Sequence, residues 1–140
     1  MRAKWCTSVP PEVSPEARRW LEQAVEDVTA ARRLADDSEM PPRLATFLAH
    51  LAAEKALKGA LIARGIAIRK IHDLVELQSS LTSADAEFVS SADVDVLVPW
   101  NIAGRYPADV GDADRETALS TVEAASRIVE GLALRILGAD

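Results

Sequence analysis

The chain has 140 residues, 49% of them hydrophobic but only 4% aromatic, and a formal net charge of −6. That length supports one core, and a core rich in Ala and Leu but poor in aromatics favours helices packed closely on helices, so an all-α class is expected. A lone cysteine, Cys6, excludes an intramolecular disulfide and the usual cysteine zinc sites and fits a reducing cytoplasm. No apolar run has the length of a signal peptide or a membrane span, and the acidic balance argues against a broad electrostatic footprint for nucleic acid.

Residues 1–13, which include Pro10 and Pro11, read as a flexible N-terminal arm, and residues 14–138 as a single helical domain. Ser14 followed by Pro15 is a helix start signal, and the spacing predicts a first helix from Pro15 to about Asp36. Its apolar face carries Trp20, Leu21, Ala24, Val28 and Ala31; its charges, among them Arg18, Asp27 and Arg32, read as a wet side without function. A second helix is predicted from about Arg43 to Arg64, stopped by Gly65. It is apolar nearly all round, as a central helix packed on several faces should be. A third is expected from about His72 to Leu81, a short one near Ser83, and an irregular one from Asp93 to about Ile102, broken near Pro99. After an acidic loop, Ala108 to Asp114, a last helix is predicted from about Ala113 to Leu137. The architecture expected is a compact up-and-down bundle of four to five helices.

Three clusters carry polar chemistry. In the second helix His50, Glu54 and Lys58 are spaced four apart and stack on one face, with Lys55 beside them. Taken alone, this stripe reads as a solvated edge with a Glu54–Lys58 pair worth a few tenths of a kcal/mol. The second cluster, Arg69-Lys70-Ile71-His72-Asp73, places two cations before a helix start, where unpaired amides can seat a phosphate. The third is Arg105-Tyr106-Pro107, where Arg suits a phosphate and Tyr a stacked base. Charge is uneven along the chain. Lys55, Lys58, Arg64, Arg69 and Lys70 fall in a stretch without acids, which therefore holds +5 while the remainder holds −11.

Together, Phe47-Leu48-Ala49-His50 through Glu54-Lys55-Ala56-Leu57-Lys58, then Ile71-His72-Asp73-Leu74, then Gly104-Arg105-Tyr106-Pro107 and an Ala-rich last helix closely resemble the HEPN family of prokaryotic helical domains, over about Ala17 to Leu137. The resemblance implies a bundle that often forms a homodimer, a small nucleotidyltransferase as partner in a toxin-antitoxin pair, and nucleotide or RNA binding. Active members of the family are metal-independent ribonucleases in which an Arg is followed, after a gap of four to six residues, by a His. Here the only histidines are His50 and His72; Arg69 is too close to His72, Arg64 slightly too far, and Arg105 has no His after it.

The reading that follows is a binding module without a cofactor, its phosphate-binding cleft lined by Lys55, Lys58, Arg69, Lys70, His72, Arg105 and Tyr106. In it Glu54 orients the lysines and His50 is packed rather than catalytic. The alternative is a metal-independent RNase in which His72 works with Lys70 or Arg105. A metal reading rests on two His-x-x-x-Glu pairs, His50 with Glu54 and His72 with Glu76. A dimer is also expected from apolar residues with no clear inward face, namely Trp5, Phe88, Val94, Val96, Leu97 and Trp100.

Overall fold

The structure is a computed structural model that describes residues 13–68, 70, 72–103 and 113–138. Residues 1–12 of the expected arm, Arg69, the Arg105-Tyr106-Pro107 cluster and most of the acidic loop lie outside the described residues.

Helix α1, Pro15–Asp36, starts as its sequence dictates: Ser14 is in extended conformation and its hydroxyl accepts the Ala17 amide at 3.1 Å, while Pro15 takes the first position, where its missing N–H costs nothing. Ala17, Leu21, Ala24, Val28, Ala31 and Ala35 form its buried stripe. A short turn leads to α2, Pro42–Ala63, whose end is a double hydrogen-bonded wrap around Gly65. The Ile66 amide reaches the Leu61 carbonyl at 2.9 Å and the Gly65 amide reaches Ile62 at 3.0 Å. This geometry needs the positive φ of Gly65, +73°.

Three short helices are expected between there and the last helix, and four occur among the described residues: α3 (Leu74–Ser79), α4 (Ser83–Ala86), α5 (Ser91–Leu97) and α6 (Trp100–Ala103). α3 is shorter than the predicted His72–Leu81 because Asp73 caps its start, while the hydroxyls of Ser79 and Ser80 both turn back onto the Glu76 carbonyl at its end. The predicted irregular helix divides at Val98-Pro99, where proline supplies no amide. α7, Arg115–Leu137, begins after Asp114, whose carboxylate accepts the Thr117 amide at 2.7 Å.

α1, α2 and α7 pack pairwise on one another, and the short helices lie against α2 and α7, so the chain is all-α, with no strand among the described residues. α2 is central. Its Ala45, Ala49, Ala52, Ala53, Ala56 and Ala60 are all fully buried, which lets its neighbours approach closely. The approach is tight at Gly59: a methyl there would lie 2.9 Å from Leu21 Cγ and 3.1 Å from Trp20 Cβ of α1. Val94 and Leu97, expected to lack an inward face, are buried in the core; a helix as short as the seven residues of α5 does not show its period in sequence. Phe88 and Val96 do remain exposed.

Enclosed carboxylates gripped by partly exposed arginines join the elements. The Asp85 carboxylate of α4 is fully enclosed and takes Arg64 in a two-pronged grip at 2.7 and 2.8 Å, with Arg135 of α7 at 3.2 Å. Arg64, by hydrogen bond and by charge, then Arg135 and Thr82, hold the Asp85 carboxyl below the usual carboxylate range despite its burial. Asp93 of α5 meets Arg127 of α7 in the same two-pronged way. Arg115, at the start of α7, donates to the Leu34, Ala35 and Met40 carbonyls at and just beyond the end of α1, at 3.3, 2.7 and 3.1 Å. Among the described residues no helix is long and apolar enough to cross a membrane.

Candidate functional site

A helix packed on every side has no solvated edge to offer, and the polar stripe of α2 points inward. His50, Glu54 and Lys58 are 3%, 6% and 6% exposed. A carboxylate in that position must be neutralised and hydrogen-bonded. Glu54 Oε2 accepts Lys58 Nζ at 2.8 Å and lies 2.6 Å from His72 Nδ1, while its Oε1 is 3.9 Å from His50 Nδ1. The solvated-edge reading of the stripe is therefore corrected: this is a buried network, and its energetics are those of an enclosed ion pair.

His72 belongs to the connection before α3, eighteen residues beyond Glu54. A carboxylate oxygen that already accepts from an ammonium takes a proton-bearing nitrogen as its second partner, so His72 donates from Nδ1. The ring itself is 58% exposed, which leaves Nε2 available to another group. The network thus runs from a buried lysine through a buried carboxylate to a surface imidazole of fixed orientation.

That imidazole borders a pocket of about 280 Å³ lined by His50, His72, Asp73, Leu74, Val98 and Asn101. The phosphate seat expected at the start of the following helix is already filled. Asp73 accepts the Val75 and Glu76 amides at 2.9 and 3.3 Å, and α3 is only six residues long. An anion in this pocket would meet side chains instead, with His72 at the rim and exposed Lys70 two residues before it.

The basic stretch of the sequence is largely neutralised in space. Lys58 is on Glu54, Lys55 Nζ is 2.8 Å from Asp27 of α1 and 3.4 Å from Gln23, and Arg64 is on Asp85. Of the five cations, Lys70 is exposed and Arg69 lies outside the described residues. Arg105 and Tyr106 also lie outside them, so the structure brings together His50, Glu54, Lys58 and His72 and sets Lys55 apart, toward α1. The carboxylate that His72 meets is Glu54, not the Glu76 of the metal reading, and among the described residues no group of three or more His, Cys, Asp or Glu is disposed to hold a metal ion. Sequence reasoning missed Asn101, which carries no pattern, and the role of Trp20, whose ring centroid lies 5.8 Å from Lys58 Nζ.

The match of this chain to the HEPN domain family spans residues 17–135. The chain belongs to the HEPN family. Two solved structures share this fold. TT1696 from Thermus thermophilus is 27% identical, with a TM-score of 0.68 over 85% of this chain and 97% of that one. ST0689, described as an archaeal HEPN homologue, is 25% identical, with a TM-score of 0.66 over 86% of this chain and 97% of its own. No curated protein matches. In this HEPN chain the pocket therefore sits where α2, the start of α3 and the α5–α6 break converge, against the central helix of the fold.

Proposed function

We propose that this HEPN chain, with residues 14–138 acting as one unit, is a nucleotide- or RNA-binding module that holds a phosphate or 2′-hydroxyl at His72. The observation that carries the reading is the exposed imidazole locked on buried Glu54 at the rim of a pocket. Nε2 is the group offered to the ligand, Lys70 is the nearby exposed cation, and Arg69, Arg105 and Tyr106 are the further contacts expected from the basic clusters of the sequence. Lys58 acts from behind, by balancing Glu54. With Lys70 the exposed cation beside the pocket among the described residues, binding relies on a small number of phosphate contacts, so its salt dependence is shallow.

The test is affinity for ATP, GTP and a short RNA across a salt series. His72→Ala is expected to lower affinity about tenfold or more, and Lys70→Ala and Arg105→Ala each to reduce the salt slope by about one. A folded His72→Ala protein that binds as tightly as the parent removes this reading.

The Glu54–His72 pair specifically favours a second reading, a metal-independent RNase of the toxin type. An imidazole oriented by a carboxylate is suited to take the 2′-hydroxyl proton. This reading predicts chelator-resistant cleavage of RNA but not DNA, lost in His72→Ala. RNA left intact by concentrated protein, free of any partner, excludes it. A cytoplasmic homodimer and a nucleotidyltransferase partner complete the proposal; exposed Phe88, Val96 and Val98 supply apolar surface for association. Light scattering that finds only monomer at tens of micromolar refutes the dimer.

A further inference from the structure

We infer that Trp20, with Arg19, Gln23 and Lys55, forms a stacking subsite for one base of a single-stranded RNA whose chain also reaches the His72 site. The inference rests on the binding role given to His72 above and names the ligand class that both sites would share.

These four residues line a separate pocket of about 270 Å³ between α1 and α2. Its chemistry is that of base recognition. An indole offers a planar π surface to any base, and the Gln23 amide combines a donor and an acceptor suited to a base edge. Of the two positive side chains, Arg19 addresses the backbone. Lys55 is anchored on Asp27 at 2.8 Å, whereas the exposed Arg19 makes no ion pair with a described residue and is free to meet a phosphate.

The indole is also held in place. Gly59 lets the backbone of α1 come so close that even a methyl group would press on Trp20 Cβ at 3.1 Å, and Lys58 Nζ sits over the ring at 5.8 Å. The same ammonium bonds the Glu54 oxygen that faces His72, at 2.8 and 2.6 Å respectively. This chain of contacts runs through the enclosed Lys58–Glu54 pair and puts the indole centroid within about 11 Å of His72 Nδ1 in a straight line. A duplex, whose bases are stacked on one another, cannot present a face to Trp20.

The experiment uses the full chain carrying Trp5→Phe and Trp100→Phe, which leaves Trp20 as the sole tryptophan. It is titrated with an eight-nucleotide single-stranded RNA, the same RNA made abasic, and the matching duplex. Single-stranded RNA should quench Trp20 fluorescence. Trp20→Ala should weaken its binding about tenfold, and Trp20→Phe should restore most of it. Abasic RNA should bind about tenfold more weakly than the parent strand and be indifferent to Trp20→Ala.

If Trp20→Ala, shown folded by circular dichroism, binds within twofold of the parent while His72→Ala is weakened, the subsite is overturned and the His72 reading stands. Abasic RNA bound as tightly as the normal strand also overturns the subsite. Loss with Trp20→Ala but not with His72→Ala supports stacking and removes the His72 assignment. No binding of any RNA by the parent protein overturns both.

Discussion

Replacing Lys58 with Met keeps the aliphatic stem and removes only the ammonium. Both members of the Glu54–Lys58 pair are enclosed, with side chains 8% and 7% exposed, so the lost cation leaves a carboxylate that water reaches poorly. Stranding one member of a buried pair costs about 3–5 kcal/mol, against a few tenths for an exposed pair four residues apart. His72, still 2.6 Å from Glu54, relieves part of this, so a loss of about 3 kcal/mol is expected. With a urea dependence of about 2 kcal/mol per molar, the unfolding midpoint followed by circular dichroism should fall by about 1.5 M. The double variant Glu54→Gln/Lys58→Met removes both charges and should recover to within about 1 kcal/mol of the parent, because a neutral pair of similar volume carries no stranded charge. A Lys58→Met protein within about 0.5 kcal/mol of the parent would show that the stripe behaves as solvated surface after all. A double variant as unstable as the single one would trace the cost to packing and refute the electrostatic argument.

Three further outcomes are expected. Gly59→Ala places a methyl 2.9 Å from Leu21 Cγ and should cost about 1–3 kcal/mol, read as a lower Tm; an unchanged or higher Tm contradicts the tight α1–α2 contact. Because Arg64 above all holds the Asp85 carboxyl below its unfolded value, its contribution is complete above the ordinary carboxylate range near about pH 4 and is lost as the pH falls below it. Asp85→Asn should therefore lower stability at pH 7 and flatten its decline in acid, and parallel curves from pH 3 to 7 for parent and variant count against the clamp. Asp73→Ala removes the cap of α3 and should cost about 1 kcal/mol; since His72 is the preceding residue, RNA or nucleotide affinity should fall as well, and affinity untouched by the change would separate His72 from the cap.

The long helices were readable because their signals are local. Ser14-Pro15 and Gly65 act within one turn, and the buried stripe of α1 repeats often enough to reveal its period. Short helices have no such repetition, which is why the inward faces of Val94 and Leu97 and the limits of α3 emerge only in three dimensions. The stripe on α2 was visible, but its burial was not. The clue was present in the composition of that helix, since one that is apolar nearly all round leaves polar residues facing neighbours. What composition cannot supply is the partner, for His72 reaches Glu54 from another element. The local surplus of positive charge misled for the same reason. Asp27 and Asp85, far along the chain from Lys55 and Arg64, neutralise it across helix contacts.

The guanidinium of Arg115 has a consequence for the order of events in folding. Its carbonyl partners are 75 to 81 residues away in sequence, and closing a loop of that length costs about 4 kcal/mol of chain entropy before any contact compensates. The three hydrogen bonds need the end of α1 and the start of α7 already side by side, so they are expected to form on the native side of the folding barrier. Contacts of that kind govern how fast a protein opens rather than how fast it closes. Arg115 therefore serves as a latch on the neck of a long loop that contains α2 and the His72 pocket, and it prolongs the lifetime of a site it does not touch.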